Sequence, residues 1–103
     1  VEKVNEAGKG VVQIRYVGGP EITPSNKSAE AVERGIVDIL YGPAGYYAGV
    51  VPESYAIMAS EKNAIELRAD GGYDLMDRIW RERINGHFLA WGLSDLGYSI
   101  FLT

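Results

Sequence analysis

Residues 29–41, AEAVERGIVDILY, decide the predicted fold because a helical pattern runs directly into a strand pattern there. Ala29, Val32 and Ile36 recur at helical spacing, with charged residues on the other faces. Gly35 can end this helix. The run 37–41 that follows is short and apolar, which suits a buried strand. The stretch therefore predicts a helix followed at once by a strand.

Helical and strand patterns alternate along the rest of the chain. The pattern predicts strands at 11–17, 87–93 and 98–103. It predicts helices that end at Gly8, begin at Thr23-Pro24, begin near Ser60, and cover 73–85 with the apolar stripe Leu75, Met76, Ile79, Trp80 and Ile84. Alternation of this kind predicts an α/β fold with a mostly parallel sheet flanked by helices.

The composition limits the chain to one globular domain. Of its 103 residues, 47% are hydrophobic and 23% are charged, which is typical of a folded domain with a small core. The absence of cysteine excludes disulfides, thiolate zinc sites and cysteine nucleophiles, and the single histidine leaves few nitrogen ligands for zinc. The net charge of −4 argues against nucleic-acid binding. No apolar run approaches the roughly 18 residues of a membrane helix.

The candidate binding residues follow the predicted strands. Ligands of parallel sheets gather at the carboxyl ends of strands, which here are residues 18–21, 42–46 and 91–95. Tyrosine and tryptophan supply apolar contact with a polar tip, which suits a small-molecule pocket. Packing in the core is the alternative role for these side chains. The aromatic residues concerned are Tyr41, Tyr46, Tyr47, Trp91 and Tyr98.

The polar residues have structural interpretations. His87 has no serine or carboxylate near it in the sequence, so it is interpreted as structural. Asp38 is expected to accept backbone amides at its strand, with a pKa-shifted acid as the alternative. Asp70, Asp74 and Asp77 are expected on a solvated helix face rather than around a cation. We therefore predict no catalytic residue, no metal and no cofactor.

Three segments follow one another in a set order: AGKGVVQIRY at 7–16, EAVERGIVDI at 30–39 and VPE at 51–53. In this order and spacing they resemble the solute-binding proteins of TRAP (tripartite ATP-independent periplasmic) transporters, of the dicarboxylate-binding type. The predicted helix at 73–85 and strand at 87–93 also fit this family. IMAS at 57–60 departs from it, because many members carry Leu-Pro-Phe there.

The resemblance implies a partial lobe of a type II periplasmic binding-protein clamshell. Residues 1–103 would be a fragment of the N-terminal lobe, with the first strand and the second lobe absent. The start at Val1 and the apolar ending at 100–103 lead to the same expectation of missing flanks. Loss of a central strand would leave unpaired strand edges, so we expect the fragment either to associate with a second copy or to be a proteolytic remnant.

The resemblance also implies a function. The protein would be an extracytoplasmic solute receptor in the periplasm that captures an organic acid and delivers it to the TRAP membrane subunits for secondary active uptake. An arginine of the second lobe would pair with the ligand carboxylate, and neither Arg15 nor Arg68 matches it. The matched ligand-binding positions are Ser25, Gly42, Pro43, Ala44, Trp91 and Gly92.

A different class of protein remains as the alternative. A stand-alone flavodoxin-like or receiver-like α/β binding or signalling domain would explain the same alternation. It predicts an acidic cluster or a phosphate loop at the strand ends. Gly8-Lys9-Gly10 is not a phosphate loop, because it follows a helix and lacks the GK[ST] sequence. An enzyme of the hydrolase type would need a Gly-x-Ser-x-Gly turn, which the sequence does not contain.

Overall fold

The computed structural model describes residues 1–90, and all of their regular structure is helical. Helices account for 48% of these residues, with no strand among them. The prediction of a mostly parallel sheet in a clamshell lobe is therefore wrong. The elements are α1 (Glu2–Ala7), a first 3-10 helix (Ser25–Lys27), α2 (Ser28–Glu33), a second 3-10 helix (Ala44–Tyr47), α3 (Ser54–Met58), α4 (Ala64–Ala69) and α5 (Gly72–Ile84).

Residues 11–17 form no strand, and backbone groups of three of them are bonded by a turn and by a side chain. The N–H groups of Val11 and Val12 both donate to the carbonyl oxygen of Gly8, at 2.8 Å each. The side-chain amide of Asn5 accepts the N–H of Ile14 at 2.6 Å and donates to its carbonyl oxygen at 2.8 Å. One asparagine thus replaces the two hydrogen bonds that a neighbouring strand would supply at Ile14.

The predicted strand at 37–41 does not form, because the chain that leads into it bonds back to the end of α2. Gly35 has a φ of +68°, its N–H donates to the carbonyl oxygen of Val32 at 2.9 Å, and the N–H of Ile36 donates to that of Ala31 at 2.8 Å. These two bonds form a Schellman cap, in which the chain folds back over the last helical turn. Val37, with which the predicted strand begins, also donates its N–H to the carbonyl oxygen of Ala31 at 3.3 Å, so it belongs to the end of the helix.

The third predicted strand is irregular where the structure describes it. Residues 87–90 form no regular element, and residues 91–93 together with the predicted strand at 98–103 lie outside the described residues. The carboxylate of Asp77 accepts the backbone N–H of Phe88 at 2.9 Å, which ties this segment to α5. A side chain again takes the place of a ladder partner.

The helix α5 organises the core. Met76, Trp80 and Ile84 recur every four residues and are buried, as the apolar stripe predicts, although Leu75 of the same stripe is 52% exposed. Against this face pack Ala29 of α2, Tyr47 of the second 3-10 helix and Val51, which is fully buried. The helix ends at Asn85, whose φ of +52° is the left-handed conformation expected of an Asn-Gly stop.

Of two other predicted helix boundaries, one is confirmed and one is displaced. The helix predicted to end at Gly8 is confirmed as α1. The helix predicted to begin near Ser60 begins instead after Asn63, whose side chain accepts the N–H groups of Ile65 and Glu66. Glu66 returns a bond to the N–H of Asn63 at 2.8 Å, completing a capping box. Asn63 is therefore the cap itself rather than an interior residue.

Within residues 1–90, no helix combines the length and the apolar character needed to cross a bilayer.

The Schellman cap predicts the effect of substituting Gly35. An added Cβ would meet nothing within 4 Å, so Gly35→Ala tests only the cost of the left-handed backbone. We expect a loss of about 1–2 kcal/mol in the free energy of unfolding, measured by urea denaturation with far-UV circular dichroism. Gly49→Ala is the matched control, because that site is equally open and lacks a positive φ. Equal effects of the two substitutions would contradict the assignment of the cap.

Candidate ligand-binding site

The turn at 42–47 contains three of the predicted ligand-binding residues, Gly42, Pro43 and Ala44. Hydrogen bonds within the turn and to α3 hold it in place. Pro43 precedes the second 3-10 helix, and its carbonyl oxygen accepts the N–H of Tyr46 at 3.0 Å. The carbonyl oxygen of Ala44 accepts the hydroxyl of Ser54 at 2.9 Å. Ser54 is 2% exposed and begins α3, so this bond is protected from water and joins the turn to the next helix.

The same turn is seated on α5 through an aromatic pair. The ring of Tyr47 meets the indole of Trp80 edge-on, with the ring centroids 5.2 Å apart. Both residues are buried. Burial is the main cause that raises the pKa of the Tyr47 hydroxyl, and the nearby Tyr46 is the second cause. A Cβ at Gly42 would lie 2.5 Å from that hydroxyl oxygen. Glycine at 42 thus lets the backbone pass directly over the end of the Tyr47 side chain.

The structure places Ser25 beside this turn. Ser25 begins the first 3-10 helix, which packs against both the second 3-10 helix and α2. Its carbonyl oxygen accepts the hydroxyl of the buried Ser28 at 2.6 Å, which fixes the start of the first 3-10 helix against α2. Four of the six predicted positions, Ser25, Gly42, Pro43 and Ala44, therefore belong to one region. Trp91 and Gly92 lie outside the described residues.

The predicted aromatic cluster is divided rather than gathered. Tyr47 is a core residue, whereas Tyr41 is 84% exposed and Tyr46 is 47% exposed. Trp91 and Tyr98 lie outside the described residues. Of the two roles left open for these rings, core packing applies to Tyr47, and Tyr41 is a surface side chain in the described part of the chain.

The two arginines that the resemblance does not match have separate environments. The guanidinium of Arg68 lies 3.9 Å from the ring centroid of Tyr73 and donates to the carbonyl oxygen of Leu89 at 2.9 Å. Arg15 is exposed in the irregular segment after α1. Neither is tied to the Ser25 and Gly42–Ala44 region by any hydrogen bond or ion pair within residues 1–90.

A separate cleft of about 530 Å³ lies on another part of the molecule, between α2, α5 and the turn after the second 3-10 helix. Its apolar lining is Val50, Ile79 and Ile84, and its polar lining is Glu33, Glu53, Glu82 and Arg83. None of the four predicted ligand-binding residues that the structure describes lines it. Three glutamates with one arginine make its electrostatic field unfavourable for an organic anion.

The ion pair in that cleft is electrostatically distinctive. Glu53 binds Arg83, and its second carboxylate oxygen is buried without a hydrogen-bond partner in the described part of the chain. The hydrogen bond from the Arg83 guanidinium is the main cause that lowers the pKa of the Glu53 carboxyl. This pair connects the turn before α3 to the last turn of α5.

Sequence reasoning missed Ser54 and Asn5, and it misjudged Asp38 as well as Asp77, which was expected on a solvated helix face. Ser54 and Asn5 fix backbone segments through side-chain hydrogen bonds, and the only advance signal was their residue type. Asp77 lies 3.3 Å from the ring of His87, so the histidine does have a carboxylate within reach, supplied ten residues earlier by α5. Asp38 is exposed at a bend, so the expectation that it sits in a buried strand is wrong.

No group of three or more histidine and carboxylate side chains in residues 1–90 could hold a metal ion.

Comparison with known proteins finds no family model and no solved structure that matches the chain.

The contact between Gly42 and Tyr47 predicts a substitution and its rescue. Gly42→Ala should lower the free energy of unfolding by about 1–3 kcal/mol, because the new Cβ would overlap the Tyr47 hydroxyl. Tyr47→Phe removes that oxygen, so the double variant should recover most of the loss. Urea denaturation of the wild type, both single variants and the double variant measures this coupling. Strictly additive effects would contradict the contact.

The ion pair of Glu53 predicts a pH dependence. Because the pKa of the folded carboxyl lies below its ordinary value of 4.5, the pair stabilises the fold above that value. This contribution should be lost as the pH falls below the ordinary value of 4.5 and through the lowered pKa of the folded carboxyl. Glu53→Gln should lower stability at neutral pH and flatten the acid limb of the stability profile. The exposed Glu61→Gln should leave that limb unchanged, and equal flattening by both variants would contradict the role of Glu53.

Proposed function

We propose that this chain belongs to an extracytoplasmic solute receptor of a TRAP transporter, which captures an organic acid in the periplasm. The ligand contacts the small-residue turn Gly42–Ala44 and the helix start at Ser25. The receptor performs no chemistry on the solute, and uptake energy comes from the membrane subunits of the transporter. The order and spacing of the segments at 7–16, 30–39 and 51–53 support this proposal.

The observation that carries the proposal is the packing of the first 3-10 helix against the second. The resemblance selects Ser25 and Gly42–Ala44 as ligand contacts although about seventeen residues separate them in the sequence. Their elements are neighbours in the folded chain. Residues 42 and 44 carry little side-chain bulk that would obstruct an approaching ligand, and a turn held by Ser54 presents them in one conformation.

Charge accounts for the affinity expected of the chain alone. An arginine outside residues 1–103 supplies the bidentate partner of the ligand carboxylate in this proposal. Residues 1–103 then contribute shape and backbone contacts without the strongest electrostatic interaction. Binding of an organic acid by this chain alone should be in the millimolar range, which corresponds to about −4 kcal/mol.

The alternative of a stand-alone flavodoxin-like or receiver-like domain has less support. Such a domain depends on a parallel sheet with functional groups at the strand ends. Residues 1–90 form no such sheet. The receptor proposal also loses the support of its expected fold, and it keeps the ordered segments and the juxtaposition of Ser25 with Ala44.

Titration followed by amide resonances in NMR spectra tests the proposal. We expect organic acids at millimolar concentration to shift the resonances of Ser25, Gly42 and Ala44, while the corresponding primary amides do not. Ala44→Asp should abolish the response by placing a like charge at the site. The control is Ala59→Asp, which adds the same charge at an exposed position after α3.

Three results would contradict this proposal. Micromolar binding of any organic acid would show that the chain already holds a complete site. Equal shifts with acids and amides would show that charge is not recognised. Failure of every acid to shift Gly42 or Ala44 would remove the site itself.

A further inference from the structure

Two irregular segments, residues 12–15 and 38–41, leave apolar side chains exposed. Val12 is 48% exposed, Ile39 is 59% exposed and Tyr41 is 84% exposed. Both segments have the β-branched and aromatic composition of strands. A strand without a partner is unstable in isolation, so these segments are available to pair with another strand.

One edge of each segment also has backbone groups that form no hydrogen bond within residues 1–90. Asn5 occupies the N–H and the carbonyl oxygen of Ile14, which closes one edge of the first segment. Neighbouring residues of an extended chain direct these groups to the opposite edge. There, the backbone groups of Gln13 and Arg15 make no hydrogen bond with the described residues. The same holds for Asp38 and Leu40 in the second segment.

The two free edges complement each other in one antiparallel register. Pairing Ile14 with Ile39 places Arg15 opposite Asp38, and this is the hydrogen-bonded pair that their free backbone groups allow. A parallel alignment that pairs Ile14 with Ile39 would instead place Arg15 opposite the apolar Leu40. Charge and apolar pattern therefore select the antiparallel register.

We propose that two copies of this chain associate through reciprocal antiparallel ladders, with residues 12–15 of each copy paired to residues 38–41 of the other. A two-fold axis makes each ladder occur twice, so all four free edges are used at once. The bend at Asp38 straightens on pairing. The inference rests on these exposed segments and is independent of the proposed receptor role.

Each segment is anchored to a different helix of its own chain, and pairing between copies leaves both anchors in place. Asn5 anchors the first segment to α1 at Ile14. The N–H groups of Ile36 and Val37 bond back to the carbonyl oxygen of Ala31, which anchors the second segment to α2. A second copy can therefore bring the complementary edge to each segment without breaking either anchor.

Charge reversal distinguishes this interface from other modes of association. Arg15→Glu alone and Asp38→Arg alone each place like charges opposite one another in both ladders. We expect each to raise the dimer dissociation constant about tenfold or more, measured by sedimentation velocity. An equimolar mixture of the two variants should restore dimers. In that heterodimer the two substituted side chains face each other with opposite charges in one ladder, and the original pair of Arg15 and Asp38 remains in the other.

The controls carry the same charge changes elsewhere on the surface. Lys3→Glu and Glu61→Arg alter exposed residues outside both segments and should leave the dissociation constant unchanged, alone or mixed. Far-UV circular dichroism of each diluted variant verifies that the helices remain. A wild-type chain that stays monomeric at every concentration would overturn the proposal. So would single variants that dimerise normally, or a mixture that stays monomeric.

Discussion

The edge-on contact between Tyr47 and Trp80 is the interaction on which the rest of the described structure depends. It joins the turn at 44–47 to the longest helix, and Val51 and Met76 pack around the same point. The indole N–H of Trp80 is buried without a hydrogen-bond partner in residues 1–90. That unpaired donor costs about 1–3 kcal/mol. The free energy gained by burying the two aromatic rings has to exceed this cost. The stability of the small core therefore depends strongly on this contact.

The helices were predictable where a long periodic pattern coincided with clear boundary residues. The stripe of α5 spans three turns and ends at Asn85-Gly86, so period and stop signal agree. The strands were not predictable, because runs of five to seven residues that contain β-branched and aromatic side chains fix no hydrogen-bond partner. In this chain Asn5, Asp77 and the cap at Gly35 provide that partner from side chains and helix ends. Nothing in the local pattern of 11–17 or 37–41 indicates this.

The candidate site was predictable in part for a similar reason. Ser25, Gly42, Pro43 and Ala44 were selected by resemblance, and their proximity depends on the packing of two short 3-10 helices that no periodicity indicates. The aromatic side chains were misjudged because residue type does not distinguish a core ring from a binding ring. Tyr46 and Tyr47 are adjacent, yet burial on α5 separates their roles. The placement of Ser54 beneath Ala44 required the three-dimensional structure.

The seating of the turn on α5 is tested most directly by a nuclear Overhauser measurement between the Tyr47 ring and the Trp80 indole in solution. We expect direct cross-peaks between these two side chains, since their ring centroids are 5.2 Å apart. We also expect ring resonances for Tyr47 that are distinct from those of the exposed Tyr41. Absence of the cross-peaks, with Tyr47 resonances matching those of Tyr41, would show that the turn is not seated on α5 and would contradict the central role of this contact.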